Sequence, residues 1–149
     1  MSQMHANITQ LRTEHASLIK LAAEIGNLIV ADKPQPAISA LRWRLCRELL
    51  AHLTTEDKML YPALIASSNP QAVLTADQFS NEMGGLAAAF KLYIEDWTWD
   101  RIANDWPGFC AATQKILTAL GNRIRRENEI LYPLADQAVQ VGKASAKTA

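Results

Sequence analysis

Ile8, Leu11, His15, Leu18, Ala22, Ile25 and Ile29 recur at alternating steps of three and four, so they share one face of a helix predicted over residues 3–31. Pro34 and Pro36 end it, because proline lacks an amide donor and disfavours helical geometry in the residue before it. A second stripe, Ile38, Leu41, Leu45, Leu49, His52, Glu56 and Met59 or Leu60, predicts a helix to about residue 66, with Arg42, Arg44, Arg47 and Lys58 turned mostly away. Ser67-Ser68-Asn69-Pro70 reads as a turn. Phe79, Met83, Leu86, Phe90, Tyr93 and Trp97 follow on a third helix that Thr75 or Ser80 can cap. The segment from Trp97 to Pro107 reads as an aromatic connection whose tryptophans plug one end of the fold, and Pro107 suits the first turn of a fourth helix. That helix turns Phe109, Thr113, Ile116, Leu120, Arg123, Glu127, Leu131 and Leu134 inward. No stretch alternates with period two, so the expected class is all-α: an antiparallel, up-down-up-down four-helix bundle over residues 1–140 with a flexible small-residue tail at 141–149.

The stripes turn polar at matching places. His52-Leu53-Thr54-Thr55-Glu56-Asp57-Lys58-Met59-Leu60-Tyr61-Pro62 parallels Arg123-Ile124-Arg125-Arg126-Glu127-Asn128-Glu129-Ile130-Leu131-Tyr132-Pro133 at an offset of 71. Glu14-His15-Ala16-Ser17-Leu18 parallels Glu82-Met83-Gly84-Gly85-Leu86 at an offset of 68. Two helical hairpins therefore share one pattern, and the expectation is that His15, His52, Glu56, Met83, Arg123 and Glu127 converge near mid-bundle. His52 and Glu56, four apart, project from one face. Burying such groups costs several kcal/mol unless they are paired or bind metal.

These residues resemble the hemerythrin-like, or HHE cation-binding, family over about residues 8–137. The resemblance implies a four-helix bundle with a di-iron site, in which His15, His52, Glu56 and Glu127 fall on ligand positions and the two glutamates bridge. Met83 and Arg123 stand where the family has the histidines of helices three and four, and both serve the same iron. One half of the site is thereby lost. Arginine brings a permanent charge and a planar fork able to pair with Glu56 or Glu127. Two outcomes follow: a metal-free salt-bridged network, or one divalent ion, iron first, on the remaining two histidines and two carboxylates.

Composition narrows the function. The chain of 149 residues carries 15 basic and 15 acidic side chains, a net charge of +0, which argues against nucleic acid or an anionic membrane as partner. Its apolar share of 49% is spread over short runs, so no transmembrane or signal segment is expected and the chain reads as cytoplasmic. Cys46 and Cys110 read as buried, reduced thiols. No Gly-rich phosphate loop or activated nucleophile is visible. A phosphotransfer histidine would need exposure, whereas His15 and His52 lie on apolar stripes and His5 has no supporting pattern. The expected role is therefore non-enzymatic, a sensory, regulatory or interaction module with a protein partner or a second copy of itself. The alternative is a metal protein handling oxygen, nitric oxide or peroxide. Arg42, Trp43, Arg44 and Arg47 read as a solvated face with a half-buried tryptophan, or as a docking surface.

Overall fold

In the computed structural model, which describes residues 2–137, helix α1 spans Ser2–Leu28 and α2 spans Ala37–Thr55. A wider π turn, Glu56–Leu60, carries α2 without interruption into α3, Tyr61–Ile65. Helices α4 (Pro70–Met83) and α5 (Leu86–Asp96) form the third arm, and a short α6 (Trp99–Asn104) leads to α7, Trp106–Arg126. A second π turn, Glu127–Leu131, and a helical stretch over 132–137 complete the fourth arm. There is no strand among the described residues. The expected tail at 141–149 and the boundary at 140 lie outside them.

Contacting pairs run in opposite numerical order across neighbouring arms. Glu14 meets His52 while Ser17 meets Glu48, Met83 meets Arg123 while Tyr93 meets Thr113, and His15 meets Asn128 while Ala31 meets Trp106. The arms are antiparallel, as expected. Two apolar clusters fill the bundle. One runs from Leu18 and Leu49 to Trp97 and Phe109; the other joins Ile8, Leu11, Leu60, Leu64, Phe79 and Leu131. A buried polar layer, His15, His52, Glu56, Arg123 and Glu127, lies between them.

Several local expectations are corrected. The third arm starts at Pro70, ahead of Thr75 and Ser80, because the Asn69 side chain accepts from the amides of Gln71 and Ala72 at 3.0 and 3.2 Å. It breaks at Gly84-Gly85, where a Cβ on Gly84 would lie 2.4 Å from the Ser80 carbonyl oxygen. Trp97 and Trp106 plug the bundle end, and the Trp106 indole donates to the Ala31 carbonyl at 2.7 Å, but Trp99 is exposed on α6. Trp43 is exposed rather than half-buried. Arg42 does not follow the solvated face: its guanidinium lies 5.0 and 5.2 Å from the ring centres of Tyr93 and Phe109, a cation–π arrangement. Cys46 and Cys110 are free thiols, only partly buried.

Helix α7 carries Arg123 and leads directly into the π turn that holds Glu127, so its start matters to the site. The Asp105 carboxylate accepts from the Gly108 amide at 3.0 Å, and a Cβ on Gly108 would come 2.2 Å from that carboxylate. Asp105→Ala removes the cap and is expected to cost about 0.5–2 kcal/mol in urea unfolding, with the helical circular dichroism unchanged.

Candidate metal centre

The π turns place the carboxylates. In each, the amide five residues on, Tyr61 or Tyr132, bonds back to the carbonyl of Glu56 or Glu127. Pro62 and Pro133 follow directly, and a proline ring cannot approach the carbonyl four residues back, so the widened turn relieves that clash. In a regular helix the residue at i+5 stands about 140° round from i. The extra residue in the turn brings each tyrosine onto the inward face beside its glutamate. Leu60 is buried and Met59 exposed for the same reason.

His15, Glu56 and Glu127 are 0% exposed, Arg123 1% and His52 2%, and the expected convergence is met except at Met83, whose side chain is only partly buried and which reaches the layer through its carbonyl. One donor atom each from His15, His52, Glu56 and Glu127 lies within 4.8 Å of the others. His15 Nε2 is 3.1 Å from Glu127 Oε1, and His52 Nε2 is 3.1 Å from Glu56 Oε1. The outer ring nitrogens are anchored: His15 Nδ1 to Asn128 Oδ1 and His52 Nδ1 to Glu14 Oε1, both at 2.7 Å. With a proton on Nδ1 donated outward, each Nε2 turns its lone pair to the centre, the form in which imidazole binds metal.

The opposite side is closed by arginine. Arg123 Nε donates to Glu127 Oε2 at 3.0 Å, Nη2 to Glu56 Oε1 at 3.3 Å and to Asp57 Oδ1 at 2.6 Å, and Nη1 to the Met83 carbonyl at 3.2 Å. The guanidinium thus bridges both glutamates rather than forking onto one. Met83 contributes its carbonyl, and its sulfur lies 3.9 Å from Asn122 Nδ2. The tyrosines cross over: Tyr61 donates to Glu127 Oε2 at 2.7 Å, and Tyr132 donates to Glu56 Oε2. A groove of about 570 Å³ between α5 and α7 ends at Met83 and Arg123.

The two glutamates differ in charge tendency. Burial, then the neighbouring Glu127 charge, push the Glu56 carboxyl above its ordinary range. Burial acts against Glu127 as well, but His15 beside it, the Arg123 charge and the Tyr61 hydroxyl outweigh it and hold that carboxyl at about 2. Burial disfavours charge on His52, yet Glu56 and Glu14 raise it overall.

A cation fits the histidine side. His52 Nε2 and Glu127 Oε1 are buried without a hydrogen-bond partner, both in the ring of four donors. Donors across an ion with bonds of about 2.1 Å stand about 4.2 Å apart, in keeping with the spacing here. The arginine side offers no such place, since a guanidinium fills it and repels a second cation.

Glu14, Asp57, Asn128, Tyr61 and Tyr132 belong to the site although the stripes did not single them out. The signal for them was the repeat, which aligns Asp57 with Asn128, Tyr61 with Tyr132 and Glu14 with Glu82. Comparison with family models matches residues 6–135 to the hemerythrin HHE cation binding domain. No curated protein and no solved structure matches the chain.

Arg123→Ala is expected to destabilise metal-free protein by about 3–5 kcal/mol in urea unfolding under a chelator, because it strands buried carboxylates without their counter-charge. A neutral substitution would show that those carboxylates are neutralised by other means.

Proposed function

The chain belongs to the hemerythrin HHE cation-binding domain family, and from that premise we propose that it is a one-metal member in which Arg123 takes the place of a second cation. The reading is carried by the two buried, unpartnered atoms, His52 Nε2 and Glu127 Oε1, on the side away from the guanidinium. His15, His52, Glu56 and Glu127 would hold the ion. Iron heads the candidates because the donor set mixes imidazole with carboxylate. When bound, such an ion supplies Lewis acidity and, for iron, one-electron redox chemistry.

The role we assign is sensory or regulatory rather than enzymatic. Arg123 ties the carboxylates to the Met83 carbonyl at the α4–α5 break, so a change of charge at Glu56 or Glu127 bears on a helix junction. Glu14 and Asn128 reach the centre from α1 and the second π turn, which links it to the partly exposed face of the bundle. A protein partner or a second copy would read that change. No helix among the described residues is long and apolar enough to cross a membrane. The second reading, an iron centre handling oxygen, nitric oxide or peroxide, draws on the groove between α5 and α7, which would hold a small molecule beside Met83 and Arg123.

Elemental analysis of protein purified without added metal, followed by anaerobic titration with ferrous iron, should give one ion per chain. His15→Ala or His52→Ala should abolish binding. Met83→His combined with Arg123→His should raise the stoichiometry to two, as two imidazoles replace the repelling charge. Two ions in the wild type would overturn the role given to Arg123, and none in excess iron would overturn the one-metal reading. Peroxide consumed faster by loaded protein than by the same iron in solution would favour the second reading.

A further inference from the structure

Tyr132 stands at two of the four candidate donors at once. Its hydroxyl oxygen is 3.0 Å from His15 Nε2 and donates to Glu56 Oε2. The ring is fully buried and stacks on His15, with centroids 5.0 Å and planes 14° apart. Phenol oxygen and imidazole nitrogen therefore face the same small space. Tyr61, its repeat counterpart, sits differently: its hydroxyl bonds Glu127 Oε2, and the Arg123 guanidinium lies 5.3 Å from its ring centre. The third tyrosine, Tyr93, bonds Thr113 and packs in the cluster of Leu18, Leu49, Trp97 and Phe109.

Resting on the one-metal reading, we infer that Tyr132 is a fifth ligand, through its phenolate oxygen, when the centre holds ferric iron, and that Tyr61 is not. The phenol O–H bond breaks and its proton passes to Glu56 Oε2, which already accepts it, while the oxygen-to-metal bond forms. Glu56 keeps Oε1, 3.1 Å from His52 Nε2, as its donor. A phenolate is a hard, anionic oxygen and matches a hard trivalent ion better than a softer divalent one. This gives the centre a preference that two histidines and two carboxylates alone do not impose.

The test loads wild type, Tyr132→Phe and Tyr61→Phe with ferric citrate, removes excess by gel filtration, and records iron content, visible absorption and resonance Raman spectra. Wild type and Tyr61→Phe should each hold one iron and show a broad phenolate-to-iron band with enhanced phenolate ring modes. Tyr132→Phe should lack the band and bind iron at least tenfold more weakly, at unchanged helical content. One iron without the band in wild type, a band surviving in Tyr132→Phe, or a band lost in iron-loaded Tyr61→Phe overturns the inference and leaves the one-metal reading standing. No iron in wild type overturns both. The wild-type and Tyr61→Phe spectra decide the matter even if Tyr132→Phe does not fold.

Discussion

Glu56 and Glu127 face one another inside an apolar bundle, shut off from solvent, and the surrounding structure answers that constraint. An isolated buried carboxylate is costly enough to neutralise itself or unfold the chain. Here each oxygen meets a basic nitrogen, a phenol or both. Arg123 bridges the pair, two histidines approach from the other side, and each hairpin's tyrosine donates to the other hairpin's glutamate. That crossing ties the halves of the bundle together. It depends on the π turns, because only a widened turn sets a residue five positions on beside its glutamate.

The repeat shows how differently the two halves surround the centre. On the histidine side, Asn128 anchors His15 and Glu14 anchors His52. Their repeat partners, Asp57 and Glu82, persist on the other side, where there is no imidazole to anchor, and both have turned to arginines: Asp57 to Arg123 and Glu82 to Arg126. The outer carboxylates thus neutralise cationic side chains instead of orienting ligands. The guanidinium sets a fixed positive charge against both glutamates on one side while imidazoles face them on the other, and for this reason the two sides of one centre differ so sharply in chemistry.

Arg123 also links the centre to the weakest point of the third arm. Its Nη1 reaches the last carbonyl of α4, next to the glycines that interrupt the helix. A helix break leaves carbonyls without intrahelical donors, and the arginine supplies one. The centre and the break thus share a single side chain.

The helix stripes, the antiparallel order and the meeting of His15, His52, Glu56, Arg123 and Glu127 were legible along the chain, because helical periodicity is local and puts residues three and four apart on one face; Met83, expected with them, brings only its carbonyl. The repeat carried this across the two hairpins, since matching offsets imply matching depths in the bundle. What lay beyond it depended on neighbours distant in sequence. Arg42 points inward because the faces of Tyr93 and Phe109 await it there, and periodicity alone put it outside. Arg123 bridges two glutamates because Asp57 and the Met83 carbonyl fix its far end. Tyr61 and Tyr132 reach the centre because a proline shifts each helix by one residue, a change of register that a regular 3.6-residue period does not contain. Which hydroxyl faces the histidines and which the arginine was decided only when four helices packed, since both tyrosines occupy the same place in the repeat.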